Sequence, residues 1–307
     1  MLDSLDSKNT NIANLNLEEP QGKLELPFDP DRDLTEADWE GMLRGLDDIS
    51  LSNVTYYLNV ASGMRIIFPE RELNLDKNSW NRTEKQIKDS TQTFWANRDR
   101  TDMDCLDITS AISSALQLFP EKANQLKDFY AEFKDKANDV GFNIFESLDR
   151  YFRRVPVVKI DTISYLGTIS SIAIVSQADL KTYPKLEDFK QDFLTALQDS
   201  FAGYNKGLSS QLLHAIAAFR ICFPEQELNI PKQVWDEWKE SFELLRKNAR
   251  NSNDPLDWWG FTRKVFDLKV ATAKEVKITD HGIELIMQEP EIPLVEPIPA
   301  LPEMRKF

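Results

Sequence analysis

The sequence predicts an all-α protein built as a row of about five helix pairs. Three observations predict it. The stretch Phe223-Pro224-Glu225-Gln226-Glu227-Leu228-Asn229-Ile230-Pro231-Lys232-Gln233-Val234-Trp235 nearly repeats Phe68-Pro69-Glu70-Arg71-Glu72-Leu73-Asn74-Leu75-Asp76-Lys77-Asn78-Ser79-Trp80, with eight of thirteen aligned positions identical. A repeated connector implies a repeated architecture. Second, the residues ahead of the Phe-Pro dipeptides share a register. Four before Phe68, Phe119 and Phe223 stand Met64, Ala115 and Phe219; seven before, Ala61, Ile112 and Ile216; eleven before, Tyr57, Ile108 and Leu212. That spacing is one face of a helix. Third, glycine is scarce, 10 in 307 residues, which argues against a turn-rich sheet protein and against a phosphate-cradling loop.

Each unit ends at an aromatic-proline dipeptide, at 68, 119, 183 and 223, giving intervals of 51, 64 and 40 residues. Proline has no N–H to continue a helix and disfavours helical geometry in the residue before it, so these dipeptides are stops. The first unit opens at Pro30-Asp31-Arg32-Asp33-Leu34, which parallels Pro69 to Leu73. Thr35 followed by Glu36, Ala37 and Asp38 reads as a capping box. Helices are expected over 36–47 and 53–67, then 76–96 and from Asp102 or Asp104 to the stop at Phe119. A third pair covers 123–138 and 142–153, a fourth 186–200 and 207–222, and a fifth 232–249 and 255–269. Trp235 is expected in the core. The long interval contains an insertion, 155–182. Its start, Val155 to Ile160, has the β-branched character of a short strand. The apolar run Ile163 to Val175 leans to helix. After the last pair, Val276–Ile278 and Ile283–Met287 could form a hairpin through Asp280-His281-Gly282, capping the array.

Flanking the repeat domain, 29–287, are an acidic leader, 1–28, and a tail, 288–307, with five prolines and a polyproline character. Paired helices in units of 40–50 residues resemble HEAT-like arrays, and the chain is similar to a right-handed α-solenoid at the level of architecture. The resemblance covers the helical region and carries no functional residues.

The formal net charge is −14, from 37 basic and 51 acidic side chains. Residues 1–38 hold ten acids and three bases, half of that net charge. Such a chain is repelled by nucleic acid and by anionic membranes. No segment has the apolar length of a membrane helix, and the N-terminus lacks a signal-peptide pattern. Cys105 and Cys222 each sit in an apolar helical pattern without a CxxC pair, as buried free thiols do. These features fit a reducing, cytoplasmic location.

Candidate sites are few. Asp29, Asp31, Asp33 and Glu40 have the spacing of a calcium loop, but Leu34 stands where that loop needs glycine, and the connector repeat accounts for the acids. His214 and His281 have no ligand spacing and read as structural. The serine pairs 113–114, 170–171 and 209–210 lie outside any nucleophile elbow and read as small helix residues. No metal and no cofactor are expected. Arg150, Arg153 and Arg154 form a basic cluster interleaved with Tyr151 and Phe152, which suits a phosphate backbone or a helix C-terminus. Trp258 and Trp259 open the last helix, one expected in the core and the other as an interface anchor. Pro299 and Pro302 have the spacing of a ligand for proline-reading domains. The functional expectation is a non-catalytic protein-interaction or scaffold protein, since a helical array offers a long surface. The rivals are a structural subunit that self-associates through its tail, and an enzyme with a pocket near the insertion.

Overall fold

The computed structural model describes residues 30–50, 54–96, 102–139, 160–202, 209–252 and 254–287. The expectations for the leader, the tail, the helix at 142–153, the strand beginning at Val155, and Arg150, Arg153, Arg154, Pro299 and Pro302 lie outside these residues.

The described chain is mostly helical. A short turn of helix, α1 (Pro30–Asp33), precedes α2 (Glu36–Ser50), α3 (Val54–Ile67), α4 (Ser79–Ala96), α5 (Asp102–Leu118) and α6 (Ala123–Asp139). Then come α7 (Ile160–Val175), α8 (Gln177–Lys181), α9 (Leu186–Ala202), α10 (Ser209–Cys222), α11 (Lys232–Asn251) and α12 (Pro255–Thr272). A hairpin, β1 (Glu275–Thr279) and β2 (Gly282–Ile286), ends the described chain. Its register pairs Val276 with Leu285 and Ile278 with Ile283. The apolar run of the insertion is thus the helix α7.

The four stops share one turn, and three of them share the helical bond before it; the Tyr183 amide instead bonds to the Leu180 carbonyl (3.1 Å). The amides of Phe68, Phe119 and Phe223 still make a helical bond to the carbonyls of Met64, Ala115 and Phe219 (2.8–2.9 Å). The chain then turns, and Arg71, Lys122, Leu186 and Gln226 donate back to the carbonyls of Phe68, Phe119, Tyr183 and Phe223 (2.8–3.1 Å). The stop aromatic packs on an aromatic from the first helix of its own unit. Trp39 meets Phe68 edge-on at 5.0 Å, Trp80 meets Phe119 at 5.4 Å, and Phe189 lies 6.1 Å from Phe223. Arg71, Lys122 and Lys190 add a cation over these rings. The connector therefore closes each pair, joining the start of one helix to the end of the next. Trp235 is buried, edge-on to Trp238.

The helices form two layers. The second helix of each unit (α3, α5, α10, α12), together with α7, is apolar or small-residue on nearly every side, as a helix surrounded by others must be. The first helices, α2, α4, α6, α9 and α11, keep a polar outer face and pack from outside. In an open array each unit touches only its neighbours. Here α3 packs on α5, α5 on α7, α7 on α10, α10 on α12, and α12 returns to α3 and α2. Among the described residues the row of inner helices closes on itself.

Three contacts make the seam. Asp38 on α2, fully buried, accepts from Nε of Arg246 on α11 (3.0 Å) and Nε of Arg250 (2.9 Å), and from the Thr35 N–H (2.9 Å), one arm of the expected capping box; the Thr35 hydroxyl donates to the same carboxylate (2.8 Å). Burial pushes the Asp38 pKa up, but the Arg246 bond and the Thr35 bonds outweigh it and hold the carboxyl below its ordinary value. The Trp258 indole lies across Gly41 and Gly45 of α2, one turn apart. Lys269 of α12, buried, donates through Nζ to the Ile67 carbonyl at the end of α3 (2.7 Å), satisfying one of the acceptors a helix end leaves open.

Candidate axial cavity

Helices around a closed ring must fill its axis with side chains or leave space. Large residues point from the inner helices toward the outer layer, and small ones face inward. Counting back again from Phe68, Phe119 and Phe223, the ninth residue is Asn59, Ser110 and His214; the sixth, Ser62, Ser113 and Ala217; the fifth, Gly63, Ser114 and Ala218; the second, Ile66, Gln117 and Ile221. All of these line one cavity of about 360 Å³, with Gly167, Ser170, Ser171 and Ile174 of α7 and Arg263, Phe266 and Asp267 of α12 completing the wall. This is a second repeated face of the inner helices, distinct from the apolar stripe that builds the core.

The two ends differ. The tilted Tyr56–Trp259 ring contact (5.2 Å), the Gly63–Thr262 approach and the Lys269–Ile67 bond show that α3 and α12 run parallel. His214–Asp267 and Arg220–Ala271 show the same for α10 and α12. The C-terminal ends meet the hairpin, which packs on α3, α5, α7 and α10. The Ile283 N–H donates to Oε1 of Gln117 (2.9 Å), and Gly282 (φ +117°) passes so close that a Cβ there would sit 2.2 Å from that oxygen. Isoleucines 66, 174, 221 and 283 line this covered floor. At the N-terminal end Tyr56 and Asp107 are exposed and Trp259 is half-buried, so the cavity opens there.

Two polar clusters face the space. On one side Ser110 and Ser114 of α5 both donate to Oδ1 of Asn59 on α3 (2.9 and 2.7 Å). On the other, Nδ1 of His214 stands 3.2 and 3.3 Å from the two oxygens of Asp267, both residues buried. A carboxylate only accepts, so Nδ1 carries the proton. Burial lowers the His214 pKa, against the pull of Asp267. Burial also opposes the Asp267 charge, but His214, Arg263 and Lys264 together overcome it and keep that pKa below its ordinary value.

Linkage then fixes a sign. A histidine whose pKa is lowered on folding binds fewer protons folded than unfolded, so its contribution is full above the unfolded value near 6.5 and fades as the pH falls below it. Wild type should lose stability from pH 7.5 to 5.5 more steeply than His214→Gln. Chemical denaturation at the two pH values reads this; equal slopes would contradict a buried neutral histidine.

His214 is bonded to Asp267 and approached by Arg263, and neighbouring hydroxyls are committed elsewhere: Ser62 donates to the Asn59 carbonyl, Ser113 to Ser110 and Ser170 to Gly167. Among the described residues no group of three His, Cys, Asp or Glu side chains is placed to hold a metal ion. No helix among them is long and apolar enough to cross a membrane.

Of the residues singled out from sequence, Trp258 is buried in the α2–α12 seam, while Trp259 is half-buried at the cavity mouth. His214, read as structural, lines the cavity. Serines 113, 114, 170 and 171 line it too, while Asn59, Arg263 and Asp267 carried no signal as isolated residues. Their signal was register: the same offsets from the stops that revealed the core reveal this face. Cys222 is a buried thiol whose pKa burial pushes up. No family model, no curated protein and no solved structure matches this chain.

Proposed function

We propose that this protein is a non-catalytic binding protein, a HEAT-like helical array curled into a ring, whose binding element is the axial cavity. The cavity carries the reading: it is of ligand size, mostly apolar, open at one end, and holds a few convergent polar groups, the pattern of small-molecule sites. A solenoid that exposes only its outer surface has no need of a repeated small-residue inner face.

A thermal-shift screen with small aliphatic and aromatic acids, alcohols and amines tests it. Some should raise the melting temperature of wild type, and Ala218→Leu or Ser171→Leu, which add bulk on two different walls, should abolish the shift while circular dichroism stays native. A wild type that no compound stabilises, or shifts that persist in both filled variants, would refute the cavity as the binding element.

A second reading keeps the protein-interaction role at the mouth, where Tyr56 (42% exposed) and Leu256 (52% exposed) stand out as large apolar residues near Trp259. An aromatic anchor of this kind suits a protein partner. Loss of partner capture in Trp259→Ala, with ligand shifts intact, would favour it. The enzyme reading rests on the presence of His214 and Asp267 in a pocket walled partly by α7, and the engaged serines argue against it.

A further inference from the structure

We infer that the ligand of the axial cavity is an organic monocarboxylate, its acid group held by Arg263 and its apolar body directed to the isoleucine floor. This rests on the cavity being the binding element.

The argument begins with hydrogen-bond accounting. Nδ1 of His214 gives its proton to Asp267, so it has no lone pair for Arg263, and the 3.1 Å approach of Arg263 Nη2 to that nitrogen is a juxtaposition of two donors. Arg263 Nε stands 3.4 Å from Asp267 Oδ1, an ion pair at the long end. A guanidinium has five N–H donors and no acceptor. The acceptors it approaches in this wall, Asp267 Oδ1 and the unprotonated Nε2 of His214, both stand at 3.4 Å, and the carboxylate is already engaged by the histidine. The side chain is one-third exposed and lines the cavity. The guanidinium has more donors than these two long contacts use, and the group that matches its planar fork is another carboxylate.

Of the charged residues that line the cavity, Asp107 stands at the open end, and Arg263, Lys264 and Asp267 lie on α12. The added anion would meet the Arg263 fork and, from the neighbouring α3, the amide of Asn59, whose oxygen already accepts from two serines and whose NH2 group is a donor. Below them the floor is hydrocarbon, which suits an aliphatic or aromatic tail and disfavours a second charge. A dianion or a phosphate ester has no second cationic cluster there.

The experiment is calorimetric titration of the full chain with octanoate, octanol and octylamine at pH 7.5. Octanoate should bind at least about tenfold tighter than octanol, the scale of a charge-assisted pair, and octylamine weakest. Arg263→Gln should bring octanoate down to the octanol affinity and leave octanol unchanged; Arg263→Lys, which keeps the charge without the fork, should fall between. Native circular dichroism of both variants guards against a folding artefact. Octanol binding as tightly as octanoate overturns the carboxylate assignment and leaves the cavity standing. No binding by any of the three overturns both.

Discussion

Gly41→Ala is expected to lower the unfolding free energy by about 3 kcal/mol, the upper range for overpacking a tight interior. A Cβ at this position would lie 2.1 Å from Cζ2 of Trp258, 2.3 Å from Cη2 and 2.5 Å from Cε2. No contact of that kind survives, so either the indole or the helix must move. The indole cannot swing free: it is 5% exposed and packs edge-on to Phe261. Gly45, one turn on, would place its own Cβ 2.8 Å from the Trp258 Cβ. The helix α2 therefore presents a two-glycine groove to a single tryptophan. Trp258→Ala should cost about 3–5 kcal/mol by emptying that groove. The decisive measurement is the pair. If Gly41→Ala acts by clashing with the ring, combining it with Trp258→Leu should recover part of the loss, giving a coupling of about 1 kcal/mol or more in a double-mutant cycle. Strict additivity under urea denaturation would mean that the alanine acts elsewhere. A helix-propensity argument alone predicts the opposite sign, since alanine is the better helix former.

Asp38→Ala is expected to cost about 3 kcal/mol, the lower end for breaking a buried charge cluster. The lower end is appropriate because the partners reach solvent: the side chains of Arg246 and Arg250 are 20% and 40% exposed, against 0% for Asp38. Truncating Arg246 alone should be nearly as damaging, because it strands a fully buried carboxylate with Arg250 and Thr35. The double variant Asp38→Leu/Arg246→Leu should recover stability relative to either single change, since neither charge is then left unpaired. Amide hydrogen exchange adds the spatial readout. Loss of the clamp should raise exchange in α2 and α11 first, where the ring closes, and less in α5 and α7 on the far side. Uniform acceleration throughout would mean that the seam is not a separable element.

Both experiments probe contacts that join residues far apart in the chain; Asp38 and Arg246 are 208 positions apart. That distance explains what the sequence showed and what it hid. The Phe-Pro stops, the Thr35 cap, the hairpin at Asp280-His281-Gly282 and the 4–7–11 core stripe are local or periodic, and each was legible. The apolar run at Ile163–Val175 leaned to helix but left strand open, because an apolar run without clear periodicity suits either. The cavity face was present in the same register, at Asn59, Ser110 and His214, yet small residues on a helix look alike whether they pack against a neighbour or face open space. Arg44, Arg65 and Arg263 all look alike as isolated letters, and only the last reaches a histidine and an aspartate on the axis. Trp258 and Trp259 show the limit most simply: the sequence separated a core indole from an exposed anchor as roles, and the glycines of α2, more than two hundred residues earlier, decided which was the core indole.

By itself, then, the sequence determined the helix pairs among the described residues, the place and chemistry of each stop, and the apolar stripe that buries Tyr57, Ile108 and Leu212. Tertiary structure alone decided that the row of pairs closes. Periodicity specifies which face of a helix is buried, whereas curvature is the sum of small rotations between successive pairs. Closure follows from whether the accumulated turn brings α12 to α2 with a groove to receive Trp258 and a carboxylate to receive Arg246. Once it does, the second repeated face encloses an axis, and residues that were interchangeable small letters become the wall of a cavity.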